Sequence, residues 1–139
     1  MIILDTNVVS EPTRAAPSQA VRSWIIGQRQ DELFTTSITQ AEMLVGMADM
    51  PAGRRRALIE AQIRLIFEKN FAGRVLAFDS RAAAEFELLP IRRSPKGEPI
   101  IDPDGQIAAI ARAHGATLAT RNIRDFRDCG IDLVDPWTA

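Results

Sequence analysis

One cysteine and one histidine in 139 residues remove two whole classes of site. Cys129 alone forms no intrachain disulfide, which fits a reducing, cytoplasmic setting. With only His114 beside it, a zinc centre built from thiolates and imidazoles is out of reach, so any bound metal is expected to be a hard cation held by oxygens. No apolar run approaches the ~20 residues that a membrane span needs. No basic stretch precedes the apolar start, so the N-terminus reads as a strand rather than a signal peptide, and no membrane partner is expected. Lysine is scarce too: Lys69 and Lys96 are the only two, and the other cations are arginines. Arginine's planar fork suits phosphate and carboxylate, although a GC-rich genome produces the same excess. A net charge of −1 argues against a generally basic nucleic-acid surface. Repeats, low-complexity tracts and linkers are absent, and the length fits one domain over residues 1–139.

What is present alternates. Ile2-Ile3-Leu4 reads as a short strand buried on both faces, ended by Asp5, Thr6 and Asn7, which favour turns and caps. A helical turn around Val8 and Val9 breaks off near Pro17, and Ser18 caps a helix to about Gly27 with Val21, Trp24 and Ile25 inward. Leu33–Thr36 reads as a second strand. Ser37 and Gln40 form a capping box for a helix to about Met50, stopped by Pro51. Arg54 to about Lys69 is amphipathic, with Leu58, Ile59, Ile63, Ile66 and Phe67 inward, and Arg54-Arg55-Arg56 at its start oppose the helix dipole. Val75–Phe78 is a third strand, and Asp79 or Ser80 caps a helix to about Leu89. Residues 90–101, with three prolines and Arg92-Arg93, are the one long irregular segment. Asp102-Pro103 starts a helix that ends at Gly115. Thr117–Thr120 is a fourth strand, followed by a polar turn over 121–126, and Ile131–Val134 is the last. Strands alternating with helices predict an α/β fold with a parallel sheet.

Several acids stand where solvated acids need not. Asp5 ends a buried strand, where open α/β sheets place ligand groups, or it simply caps the next helix. Glu42 shares a helix edge with Ile38 and Val45, Gly46 leaves space one turn on, and no cation lies within four residues. Asp104 is spaced three and seven residues from Ile107 and Ala111, on the core-facing stripe, while Asp102 already holds the capping position. Asn122 and Asp125 follow the fourth strand as Asp5 follows the first, and each is also an ordinary turn residue. Carboxylates sharing a cleft repel unless a cation lies between them. An oxygen-only set points to Mg²⁺ or Mn²⁺. Such ions polarise phosphoryl oxygens and activate water, as phosphodiester hydrolysis requires.

The chain resembles the PIN-domain ribonucleases, and more closely the VapC and FitB toxins of bacterial toxin–antitoxin systems. The resemblance rests on ILDTNVVSE (3–11), TSITQAEMLVGM (36–47), PDGQIAAIARAHGATLATRN (103–122) and the terminal DPW (135–137), and it runs the full length. It implies a three-layer PIN-like fold, with a central, mostly parallel sheet of four to five strands between helices. It implies that Asp5, Glu42 and Asp104 hold Mg²⁺, or Mn²⁺, and that Thr6 and Thr120 orient ligands or water. FitB-like chains often carry a fourth acid where Asn122 stands; others carry asparagine there and an acid three residues on, the pattern of Asn122 and Asp125. Arg121 or Arg124, next to that position, would hold a phosphate. The implied partners are an RNA substrate, a cognate antitoxin and a second copy of the chain, with DNA reached only through the antitoxin. Trp24, Met43, Met47 and Met50 are apolar material for the antitoxin groove or ordinary core. Two other classes compete. A haloacid-dehalogenase-like phosphatase needs a second aspartate where Asn7 stands, and it and a receiver domain both need a lysine near the site, so both fit poorly. A catalytically weak PIN-fold module acting through its antitoxin–DNA complex has Asn122 as its support.

Overall fold

Ile2–Leu4 (β1), Leu33–Thr36 (β2), Val75–Leu76 (β3), Thr117–Ala119 (β4) and Leu133–Val134 (β5) form one sheet in the computed structural model, which describes all residues 1–139. The order is β3-β2-β1-β4-β5 and every pairing is parallel. The sheet therefore has five strands and is parallel throughout. Its helices are Thr6–Ser10 (α1), Gln19–Ile26 (α2), Ser37–Ala48 (α3), Arg54–Leu65 (α4), Ser80–Ala84 (α5) and Pro103–His114 (α6). None is long and apolar enough to cross a membrane.

Strand alternation divides the core in two. Ile3 and Leu118 face a cluster built on α6, from Ile107 to Ala111, with Ala82, Leu89 and Phe126. Leu4, Leu33 and Ala119 face the other side, against Val8, Val9, Val21, Met43, Ile63 and Phe67. Helices on both faces explain why β1 is apolar without alternation. The free thiol of Cys129 is buried in the first cluster.

Most expected boundaries hold. Ser18 caps α2, Asp79 caps α5, and α6 runs from Pro103 to His114 before Gly115 at φ 58°, a left-handed turn that glycine enters without strain. Other expectations change: α5 gives way to a tighter 3-10 turn over Glu85–Leu88 and the last strand begins at Leu133 rather than Ile131. The cap of α3 is Thr36, not Ser37: Thr36 is still extended, and its Oγ1 accepts the Thr39 N–H at 3.1 Å, so Ser37 is already the first helical residue. The third strand closes after Leu76, because β3 pairs only with β2 and β2 ends at Thr36. In α4, Leu58 is 60% exposed, and the inward stripe is narrower: Ile63 and Phe67 are buried, Ile59 and Ile66 partly so. The helix opens into a wider turn over Ile66–Asn70, which aims both Phe67 and Phe71 into the core.

Candidate active site

β1 and β4 are neighbours, yet the strands beyond them lie on opposite sides, so the sheet order reverses between them. The crevice outside the carboxyl ends at such a point is where open α/β sheets bind ligands. Asp5 and Thr120 stand there, one residue past each strand. The Asp5 N–H donates to the Ala119 carbonyl at 2.9 Å, which extends the ladder and sets the two side chains together. Thr120 Oγ1 donates to Asp5 Oδ2 at 2.7 Å and Asn7 Nδ2 donates to the same oxygen at 3.1 Å. Oδ1 accepts the Thr6 N–H at 2.8 Å, which caps α1. Asp5 thus caps the next helix while standing at the strand end where open α/β sheets place ligand groups. It is 3% exposed. Burial pushes its carboxyl above the ordinary value and the Glu42 charge adds to this, against the hydrogen bonds from Thr120, the Thr6 N–H and Asn7.

Glu42 reaches the same end of the sheet because α3 leaves β2 with no intervening loop. Thr6 Oγ1 donates to Glu42 Oε1 at 2.7 Å and lies 3.0 Å from Thr39 Oγ1. Thr36 Oγ1 in turn donates to Thr39 Oγ1 at 3.3 Å. A file of buried hydroxyls from β2 therefore ends on the Glu42 carboxylate. Beyond it the surface is open: nothing lies within 4 Å of where a Gly46 Cβ would be, as expected, while Val45, read as part of the helix's apolar pattern, is 69% exposed.

Asp104 arrives on the first turn of α6. Asp102 caps that helix, with Oδ1 accepting the Gly105 N–H at 2.8 Å, and leaves the Asp104 side chain free. Asp104 lies at the rim of the core stripe rather than within it, 35% exposed at the side chain. Its carboxyl is pushed up to about 6, first by burial and next by the Asp5 charge; Arg92 opposes the shift, and Asp102 and Asp125 add to it.

Around the fourth position, Asn122 and Asp125 are both exposed. The Asn122 N–H donates to Thr120 Oγ1 at 3.0 Å, while its side chain makes no hydrogen bond to the acids. Of the two, Asp125 is the one whose charge is felt at Asp104. Arg121 is exposed, its guanidinium 4.9 Å from the Trp137 ring centre and its N–H donating to Asn7 Oδ1 at 3.2 Å. Arg124 is exposed and unpaired. A mainly apolar cavity of about 400 Å³ between β1, α1, α2 and the end of α4 includes none of these residues.

No three acids stand ready-made around one point. The donor set nevertheless fits a hard divalent cation. It is all oxygen, and the charge of Asp5 felt at Asp104, like that of Glu42 felt at Asp5, is the repulsion that such an ion relieves. Sequence reasoning passed over Asn7, Thr39 and Arg92. Asn7 and Thr39 carried a signal in their spacing, two residues after Asp5 and three before Glu42. Arg92 comes from an irregular segment, where spacing says nothing.

A parallel sheet with acids gathered at the β1/β4 reversal matches the family model described as PIN domain over residues 2–131, and the chain belongs to the PIN-domain family. It is 42% identical over 137 residues to the VapC ribonuclease Y4jK of Sinorhizobium fredii, spanning 99% of this chain and 98% of that one. It is 34% identical over 137 residues to Toxin FitB of Neisseria gonorrhoeae, spanning 99% of each. A solved structure of FitAB bound to an IR36 DNA fragment superposes with a TM-score of 0.85 at 35% identity, covering 99% of this chain and 96% of that one. Within the family, its place is in the VapC/FitB group of toxin–antitoxin toxins.

Proposed function

We propose that the chain is a Mg²⁺-dependent endoribonuclease, with Mn²⁺ able to substitute, and that it acts in the cytoplasm as the toxin of a VapBC/FitAB-like pair. The observation that carries this reading is the convergence of Asp5, Glu42 and Asp104 on the edge of the sheet where the strand order reverses. The full-length relatives named ribonuclease and toxin support it.

Asp5, Glu42 and Asp104 would hold the ion, which when bound polarises a phosphoryl oxygen and activates water for attack on the phosphodiester. The chain's contribution is preorganisation. Three donors fix Asp5 in one rotamer, and Thr6 aims Glu42 at the crevice, so neither carboxylate needs to be ordered when substrate arrives. Asp125 supplies negative charge near Asp104 where the fourth acid of related chains would stand, and Asn122 braces Thr120 from its backbone. Arg121, which lies over the Trp137 ring, and the exposed Arg124 would take flanking phosphates of an RNA.

The expected partners are a cognate antitoxin protein and a second copy of the chain, with DNA engaged only through the antitoxin. Met43 is buried and both Trp24 and Met47 pack against the second core cluster, which leaves the part-buried Met50 as the groove contact. The second reading, a catalytically weak PIN-fold module, draws on Asn122 in place of an acid and on the spread of the three carboxylates.

Inducing the gene in bacteria, with and without the small neighbouring upstream gene, separates the two. Growth arrest that the neighbour relieves, and that Asp5→Asn abolishes, is the expected outcome. Arrest of equal depth with the Asp5→Asn protein would leave only the binding-module reading.

A further inference from the structure

The irregular segment before α6 sends one side chain back into the acidic crevice. Arg92 is only 18% exposed at its side chain. Its Nε lies 2.5 Å from Asp102 Oδ1, its Nη2 lies 3.8 Å from Asp104 Oδ2, and its Nη1 donates to the Asp125 carbonyl at 3.4 Å. All three guanidinium nitrogens therefore face oxygens at the rim of the candidate metal site. The room for this comes from Gly105: a Cβ there would sit 2.6 Å from Arg92 Cδ and 2.8 Å from Asp102 Oδ1.

The contact is close but not directed. Arg92 Nε is buried without an acceptor in hydrogen-bonding geometry, the one such side-chain atom in the chain. Charge holds the guanidinium at least as much as aligned hydrogen bonds do, and a charge-held group is exchangeable. Beside it lies a cavity of about 200 Å³ lined by Pro90, Ile91, Arg93, Asp102, Asp125 and Arg127. The side chain has space there to swing off Asp104 while keeping Asp102 and the exposed Asp125 within reach, although Arg93 and Arg127 make that space less attractive to a cation.

We propose that Arg92 is a built-in counter-cation, which neutralises Asp104 while the site is metal-free and which a divalent ion must displace to bind. This rests on the reading of Asp5 and Asp104 as metal ligands and adds a regulator to it: the chain's own arginine sets how much Mg²⁺ the site needs. Two cations on one carboxylate repel, so a fixed guanidinium beside Asp104 weakens metal binding.

The test is a calorimetric titration of the whole protein with Mn²⁺ at pH 7.5, comparing wild type, Arg92→Gln, Arg92→Lys and Asp5→Asn. Arg92→Gln should bind Mn²⁺ tighter by roughly fivefold or more, and Arg92→Lys, which keeps the charge, should stay near wild type. Asp5→Asn should lose the binding. An unchanged or weaker affinity in Arg92→Gln, with wild-type binding that Asp5→Asn abolishes, overturns the counter-cation role alone. No Mn²⁺ binding by any of the proteins overturns the metal reading and this inference with it. Wild-type protein gives a second readout that no misfolded variant can confuse. The Arg92 ¹⁵Nε resonance should move with Mg²⁺ and saturate in step with binding, and a resonance indifferent to bound Mg²⁺ contradicts the proposal.

Discussion

Asp5 divides its oxygens between two tasks. Oδ1 caps α1 and Oδ2 is gripped by Thr120 and Asn7, so the carboxylate that faces the crevice is locked by the helix it starts and the strand beside it. Thr120 is fully buried and sits at the centre of this arrangement, donating to Asp5 and accepting the Asn122 N–H. Thr120→Val keeps the shape and removes these bonds together with the long one from Asn7 Nδ2. It should cost about 1–2 kcal/mol of stability, read from chemical denaturation, and should slow RNA cleavage as Asp5 loses its rotamer. A denaturation midpoint equal to wild type would show that solvent satisfies Asp5 as well as Thr120 does. Glu42 depends in the same way on Thr6, whose hydroxyl passes on the orientation set by Thr39 and Thr36.

At the scale of elements, two glycines make opposite predictions. Gly105 lies on the first turn of α6, where a methyl group would meet Arg92, the Asp102 carboxylate and, at 3.2 Å, Phe86 Cε1. Asp102 is pinned by its bond to the Gly105 N–H and cannot retreat without uncapping the helix. Gly105→Ala should therefore destabilise by about 1–3 kcal/mol despite alanine's better helix propensity. Gly46 lies in α3 with open space around it, so Gly46→Ala should stabilise by up to ~1 kcal/mol. Urea titrations of both variants check the pair, and stabilisation of both would mean that helix propensity alone decides. The same elements show what a sequence discloses. α6 was legible to the residue, because Asp102, Pro103 and Gly115 are local signals that do not depend on the rest of the fold. Strand ends were less legible: β3 stops where its single partner stops, and Phe78 is β-prone without a partner to pair with. Leu58 fits a helical stripe, but the neighbouring packing is too narrow to cover it. Strand ends and apolar stripes singled out Asp5, Glu42 and Asp104 as candidates, and the family resemblance grouped them. Arg92 could not be found in this way, because only the folded path of residues 90–101 carries it to Asp104.

The whole molecule gathers negative charge at one edge, and that has a pH signature. Asp104, raised from 3.8 to about 6, holds its proton more tightly in the fold than in the unfolded chain, and Asp5 is shifted the same way. The stability that the Asp104 proton contributes is full below about pH 4, is lost as pH rises through about 6, and is absent above, and Asp5 adds to it in the same direction. Asp31 and Asp79, which are lowered, act in the opposite direction, but their contribution is lost only at or below their ordinary value of 3.8. Between pH 4.5 and 7 the raised pair is therefore exposed to view. Mg²⁺ should raise the melting temperature more at pH 7, where Asp104 is ionised and repelled, than at pH 5, where a proton competes with the ion. An equal rise at both pH values would place the ion away from Asp104. The central claim, that these acids hold a divalent cation in order to cut RNA, meets its most direct test in the cleavage rate of purified protein on bacterial RNA at saturating Mg²⁺. The account predicts cleavage by wild type that EDTA abolishes, and a loss of roughly a thousandfold or more in Asp104→Asn. Cleavage undiminished by EDTA, or by the Asp104→Asn change, would contradict it.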